Sequence, residues 1–255
     1  MPVITLTSDL GTKDHYTGSV KGAILSNYLD ARIVDISHEI TPFNIIEAAF
    51  VLKNAYPNFP AGSVHIVSVN SLDQTDIKHL LINHDNHYFI GPDNGLFALM
   101  FDAHPQTIIE INGLEASVFP LKDIYAPTAA KLIQNTNPAS FGSEIKEVQT
   151  RTAIQPIVQQ DFIRGTVIYI DAYENVITNI TKQLFEQSKN GREPVILFKR
   201  YDSLKEIDSN YNNVPEGEMM CLFNTAGYLE IAINKGKASS LLGLDIGDTV
   251  QIDFS

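Results

Sequence analysis

A change of period within residues 2–22, PVITLTSDLGTKDHYTGSVKG, limits the fold more than any other feature of this chain. Val3 to Thr7 is a short apolar, β-branched run of the kind that fills one buried parallel strand. It stops at Ser8-Asp9-Leu10-Gly11, where a turn begins. From Tyr16 onward the apolar residues Tyr16, Val20, Ala23, Ile24 and Tyr28 recur at helical spacing. Strand, turn and helix in that order make a βα unit, which implies helices packed on a sheet. Asp9 then sits at the carboxyl end of the first strand, the edge at which open α/β sheets bind ligands. Its carboxylate can accept two hydroxyl hydrogen bonds at once, which suits the cis-diol of a ribose. The same position suits a helix cap or a residue that closes the turn.

The alternation continues. Arg32 to Ile36 reads as a second strand and Asn44 to Tyr56 as a helix with Ile45, Ala48, Ala49, Leu52 and Tyr56 on one face. Val64 to Val69 is a third strand ending at Asn70. His79 to Ile82 and Tyr88 to Ile90 are two more, joined by a polar turn at Asn83 to Asn86. Gly91 to Gly95 is a turn in which Asp93 is placed to cap a short helix running through Met100. Thr107 to Ile111 is again a strand, and Ile124 to Gln134 a helix. The pattern predicts a doubly wound, mostly parallel sheet over residues 1–150. After about Gly142 the rhythm breaks. Lys146 to Asp161 has no helical stripe and carries Pro156 and several glutamines, so 151–161 reads as a linker. Residues 162–255 are mainly short strands: Gly165 to Asp171, Val176 to Ile180, Val195 to Phe198, Glu218 to Phe223, Tyr228 to Asn234 and Thr249 to Phe254. One short helix fits among them, at Lys182 to Lys189. This spacing predicts a small β-barrel domain.

Composition narrows the function. Hydrophobic residues make up 44% of the 255, enough for a real core and too many for disorder. No run approaches the roughly 18 apolar residues of a membrane helix, and no secretory leader is visible, so neither membrane nor export is expected. Cys221 is the only cysteine, which forbids an internal disulfide and fits a cytoplasmic protein. The formal charge of −12, with no Lys/Arg cluster, argues against nucleic acid as a partner.

Three segments set polar groups just beyond strand ends: Asp9, Asn70 and Asp171-Ala172-Tyr173-Glu174-Asn175. The last gathers a carboxylate, an aromatic ring and a carboxamide, the set that a purine nucleoside needs for stacking, edge pairing and ribose binding. An ordinary hairpin turn would use the same residue types. His79, His84 and His87 surround one hairpin but lack the spacing of a zinc site, so they read as solvated hairpin histidines and no metal is expected. His38 reads as a hydrogen-bonded structural residue. The chain has no GxSxG elbow, P-loop or GxGxxG, which leaves hydrolase-elbow, NTPase and dinucleotide readings unsupported.

Taken in order, TSDLGTKDHYTGSVKG, VDISHEITPFNIIEAAFVL, GSVHIVSVN, FIGPDNGLF, KDIYAPTAAKL, IDAYENVITNI and GYLEIAINKG span nearly the whole chain. With them it resembles the S-adenosylmethionine hydrolases (adenosine-forming), or SAM hydroxide adenosyltransferases, whose cousins are the fluorinase and chlorinase. The resemblance implies an α/β domain, a β-barrel and a homotrimer, with sites between the first domain of one subunit and the barrel of the next. It implies S-adenosylmethionine as the small-molecule ligand and no separate cofactor. By the same resemblance Asp9 matches the aspartate that binds the ribose hydroxyls, and Phe43 an aromatic lining position. Asp171 and Asn175 match barrel residues that contact the methionine and adenosine parts. Tyr173 stands where the family has phenylalanine, and Glu174 where it has glycine. Thr225 and Glu230 fall in the segment that closes over the ligand.

The departures from the pattern bear on chemistry. The family's Asp-Pro-Gly-Val-Gly-Thr-x-Arg is here Asn70-Ser71-Leu72-Asp73-Gln74-Thr75-Asp76-Ile77, and its Phe-His-Gly-Arg-Asp is Phe119-Pro120-Leu121-Lys122-Asp123. The aspartate, arginine and histidine thought to activate water are thus Asn70, Ile77 and Pro120. Deprotonating water, with a pKa of about 15.7, needs a base or a strong field. Asn70 orients a water but does not take its proton near neutral pH. Asp73, Asp76 and Lys78 lie near enough in sequence to act as substitutes, Asp73 as a base. A negative Asp73 also disfavours a halide nucleophile. Two readings follow: a hydrolase that releases adenosine and methionine, or a nucleoside-binding protein that kept the pocket and lost the chemistry.

Overall fold

The computed structural model describes residues 1–71, 77–112, 117–199 and 202–255. They form two compact units, Met1–Thr152 and Ala153–Ser255.

The first unit is α/β. Its strands are β1 (Ile4–Ser8), β2 (Ile33–Ser37), β3 (Val64–Ser68), β4 (His79–His84), β5 (His87–Pro92), β6 (Thr107–Ile111) and β7 (Gly142–Ile145), in the sheet order β2-β1-β3-β5-β4-β6-β7. Pairing is parallel from β2 through β5 and antiparallel beyond, so the βα units occupy one half and a meander the other. The β4–β5 link is a two-residue turn. Asp85 and Asn86 have φ of 54° and 61°, the left-handed pair that a tight hairpin demands. Helices α1 (Tyr16–Asn27) and α4 (Ala126–Leu132) cover one face through Val20, Ile24, Ala126, Ala129 and Ala130 against Ile4, Leu6, Ile66 and Ile90. Helices α2 (Ile45–Ala55) and α3 (Leu96–Met100) cover the other through Ala48, Leu52, Leu96 and Phe97 against Val67, Ile82 and Phe89. The result is a three-layer unit with its core on both faces of the sheet.

Three local expectations change. Asp93 caps nothing: its Oδ1 accepts the Gln149 N–H at 2.7 Å, while Asn94 Oδ1 accepts the Leu96 N–H at 3.2 Å and Gly95, at φ 92°, makes the turn. The helix expected from Ile124 is preceded by a π-helical turn at Leu121–Tyr125. His79, His84 and His87 are packed rather than solvated. His87 bonds His65, His79 bonds Tyr125, and His84 lies against Phe101 with ring centres 4.2 Å apart.

The second unit is an eight-stranded, nearly closed barrel. Its strands are β8 (Ile157–Val158), β9 (Phe162–Ile170), β10 (Val176–Thr181), β11 (Pro194–Phe198), β12 (Asp202–Leu204), β13 (Met219–Phe223), β14 (Tyr228–Ile233) and β15 (Thr249–Phe254). The order is β12-β11-β15-β9-β10-β14-β13, with β8 added beside β9, so the segment 151–161 contributes a short strand. Asp208, just past β12, bridges to Leu222 of β13 and brings the two ends of the sheet together. Helices α5 (Lys182–Lys189) and α6 (Ala238–Leu242) follow β10 and β14. Ile163, Val167, Ile180, Phe185, Phe198, Leu229 and Ile252 fill the interior.

Candidate functional site

Parallel pairing puts like ends of strands together. Ser8 of β1 is in register with Ser68 of β3, so Asp9 and Asn70 follow at the same carboxyl edge. Asp9 Oδ2 accepts the Phe43 N–H at 2.9 Å, which ties the strand end to the loop before α2. Phe43 has φ 67° and its ring is 72% exposed, a left-handed backbone that is costly for a bulky residue. Asn70 also has positive φ, 52°, which asparagine tolerates, and its carbonyl accepts from Asn94 Nδ2 at 3.3 Å. Asp73 and Asp76 lie outside the described residues. Ile77 is half-buried, and Pro120 is buried immediately before the π-helical turn. In that turn Asp123 accepts from Ser117 Oγ at 2.7 Å and from Lys122 Nζ at 3.0 Å, and both hold its carboxyl below the usual range.

Beneath this edge lie several buried polar contacts. Ser8 Oγ is 2.7 Å from His38 Nδ1, whose Nε2 stands 3.2 Å from Asp35 Oδ1, and Lys21 pairs with Asp35 at 2.6 Å. Burial acts to raise the Asp35 carboxyl, but the Lys21 and His38 contacts outweigh it and leave it lowered. The others are two separate pairs: Ser68 Oγ lies 2.7 Å from Ser71 Oγ, and the Tyr125 hydroxyl lies 2.8 Å from His79 Nδ1. Tyr125 is fully buried.

In the barrel the five-residue turn after β9 is built around Asp171. Its Oδ1 accepts the Tyr173 and Asn175 N–H groups at 2.9 and 2.8 Å, and its Oδ2 accepts from Asn175 Nδ2 at 3.0 Å. Asn175 is buried by this, whereas the Tyr173 ring is 78% exposed. Glu174, at φ 63°, is held by Lys237 Nζ at 2.7 Å and by both the N–H and the hydroxyl of Ser240. Glu230 on β14 is 3% exposed. It accepts a short hydrogen bond from the Tyr211 hydroxyl and another from Asn224 Nδ2 at 3.3 Å. Burial raises its carboxyl, the two donors oppose that, and the charge of Asp171 adds to it. Val176, directly after the turn, is in register with Ile231 beside Glu230, so the turn and Glu230 share one end of the barrel. Thr225 is exposed at the tip between β13 and β14. Tyr211 escaped sequence reasoning because its partner is 19 residues away and no local pattern marks it. His79 and Tyr125, 46 positions apart, escaped for the same reason.

Each unit thus offers anchored acceptors and a protruding aromatic ring: Asp9 with Phe43 in one, Asp171 and Glu230 with Tyr173 in the other. The class is that of two-unit α/β-plus-barrel proteins with polar groups gathered at strand ends. The chain belongs to the SAM hydroxide adenosyltransferase family, whose N-terminal domain matches residues 4–142 and whose C-terminal domain matches residues 165–251. It is 35% identical over 275 residues to the (R)-S-adenosyl-L-methionine hydrolase of Methanocaldococcus jannaschii, covering 100% of this chain and 97% of that protein. The (R)-S-adenosyl-L-methionine hydrolase of Thermus thermophilus is 27% identical, with 99% and 100% covered. The crystal structure of an uncharacterized conserved protein from Thermotoga maritima matches with a TM-score of 0.91 at 30% identity, covering 98% of this chain and 100% of that one.

Proposed function

We propose that this protein binds S-adenosylmethionine and hydrolyses it to adenosine and methionine. The observation that carries the reading is its full-length similarity, at 35% identity, to a protein named as that hydrolase. The geometry is compatible at each step. Asp9, anchored at a sheet edge, keeps Oδ1 for ribose hydroxyls while Oδ2 serves the Phe43 N–H. Phe43 and Tyr173 supply exposed rings for a purine, and Asp171, Asn175, Thr225 and Glu230 supply polar contacts from the barrel. Water attacks the ribose C5′ and the sulfonium leaves as a neutral thioether, so the substrate carries its own activated leaving group and the scheme calls for no cofactor or metal. Self-association as a homotrimer completes the ligand site, and the protein works in the cytoplasm.

A second reading is favoured by one specific observation. Asn70, Ile77 and Pro120 stand where the resembled enzymes have aspartate, arginine and histidine, so the protein would bind the nucleoside without turning it over. One experiment separates the two: purified protein is incubated with S-adenosylmethionine and the products are chromatographed. Steady release of adenosine and methionine excludes the binding-protein reading. Tight binding with no release excludes the hydrolase.

A further inference from the structure

We propose that Ser8 and His38 are positioning residues for the ligand's ribose: they hold the Asp9 turn so that its free carboxylate oxygen meets the diol. The inference rests on the nucleoside-binding reading above. It assigns two side chains that are buried behind the turn and act through Asp9.

Strand pairing does not by itself place Asp9. The β1–β2 ladder ends at Thr7 and Ser37, and the β1–β3 ladder ends at Ser8 and Ser68. Beyond them the turn is joined to residues 38–43 by individual hydrogen bonds. Gly11 N–H donates to the His38 carbonyl at 2.7 Å, Thr12 Oγ1 to Glu39 Oε1 at 3.0 Å, and Phe43 N–H to Asp9 Oδ2 at 2.9 Å. The remaining link is buried: Ser8 Oγ lies 2.7 Å from His38 Nδ1 and accepts the Leu10 N–H at a long 3.5 Å. From the other side Thr17 Oγ1 of α1 donates to the Gly11 carbonyl at 3.0 Å.

The His38 ring is aimed by a bulge in β2. Leu6 pairs with Asp35 and Thr7 with Ser37, so Ile36 is an extra residue in the strand. In an unbroken strand, residues three apart point to opposite faces. The extra residue lets Asp35 and His38 share one, with Asp35 Oδ1 3.2 Å from His38 Nε2. The carboxylate is out of line for a hydrogen bond, so what it offers the ring is charge. That favours the tautomer protonated at Nε2, in which Ser8 O–H donates to Nδ1 and Ser8 Oγ still accepts from Leu10.

A buried hydroxyl and imidazole cost stability unless they satisfy each other, and an alanine with a leucine would carry no such cost. What the polar pair adds is direction. It fixes the residue before Asp9 through its side chain and the residue after it through its N–H. With Oδ2 committed to Phe43, this backbone path sets where Oδ1 stands.

The test is calorimetric binding of adenosine and of 2′,3′-dideoxyadenosine, which lacks the diol, to the full chain and to Ser8→Ala, His38→Leu and His38→Asn. Wild type should prefer adenosine. Ser8→Ala and His38→Leu should each lose about tenfold in adenosine affinity and little for the dideoxy compound. His38→Asn should keep most of the affinity, because its carboxamide can replace Nδ1 as the partner of Ser8. Adding His38→Leu to Asp9→Asn should cost no further adenosine affinity, since the effect runs through Asp9. General damage to packing would not tell the two ligands apart. Equal losses for both, or no loss for either, overturn the positioning role and leave the nucleoside reading standing. If His38→Leu is poorly folded, Ser8→Ala, which removes a single oxygen, decides the matter with the same two ligands. A wild type that does not prefer adenosine overturns the ribose role of Asp9, and the positioning role with it.

Discussion

Phe43 and Asp9 show how much a single contact holds at the sheet edge. A left-handed backbone costs a non-glycine residue roughly 1–3 kcal/mol, and Phe43 bears this at φ 67° while its ring reaches solvent. The Asp9 carboxylate, by accepting the Phe43 N–H, is what fixes the conformation. Backbone strain combined with an exposed ring suggests selection for a ligand rather than for stability. Phe43→Gly is therefore expected to raise Tm by about 2–4 °C per kcal/mol of strain relieved, and at the same time to weaken adenosine binding. Calorimetry and thermal melts check the pair of effects; a variant that loses stability would show that the ring packs. Asp9→Asn separates the two roles of the carboxylate. The amide oxygen still accepts from Phe43, so Tm should hold. Losing the charged acceptor for a ribose hydroxyl should cost roughly 1.5–3 kcal/mol of adenosine affinity. Equal affinity in both proteins would reduce Asp9 to a turn residue.

At the scale of elements, β1, β3 and β5 are pinned by a buried polar chain. Thr5 Oγ1 lies 2.8 Å from His65 Nδ1, and His65 Nε2 lies 3.0 Å from His87 Nδ1, within ring contact of Tyr56, Phe59 and Phe89. Burial, with a smaller push from His87, lowers the His65 imidazole to about 3. Its folded value lies below its unfolded one, so its contribution is complete above about pH 6.5 and is lost as pH falls toward 3. His65→Gln cannot titrate. In urea unfolding, wild type should lead the variant at pH 7, and the gap should narrow by a few kcal/mol near pH 4; a gap independent of pH would remove the idea. This layer was invisible in sequence, because His65 sits inside an apolar run that any reading takes as core. Periodicity did locate the elements that bury one face or both. Thr107–Ile111, Lys182–Lys189 and Thr249–Phe254 were legible to the residue. β7, reading GSEI with two exposed residues, carries no such pattern and joins the sheet only through β6. The two-residue β8 and the five-residue α6 are too short to show a period. The polar strand ends of the site were legible for a related reason: apolar runs stop there. What each polar group touches was not, since Asp9 with Phe43, Glu230 with Tyr211 and Tyr125 with His79 all join distant parts of the chain.

For the whole molecule the question is whether the scaffold still holds its ligand as a hydrolase would, and restoring the family residues tests this. Asn70→Asp, Ile77→Arg and Pro120→His together should raise adenosine release, while each alone does little, because catalytic groups that work as a unit are strongly non-additive. The backbone permits the changes. Aspartate tolerates the φ of 52° at position 70, and the φ of −55° at Pro120 is open to histidine. Local shape is the obstacle, since Leu121 fills with a fully enclosed side chain the place of a glycine, and the π-helical turn begins there. Folding and S-adenosylmethionine binding must accordingly match wild type before rates are compared. Carboxylate assistance is worth roughly 10²–10⁴-fold, well above a weak background. A folded, ligand-binding triple variant with no gain in adenosine release would mean that the pocket itself has moved away from hydrolysis.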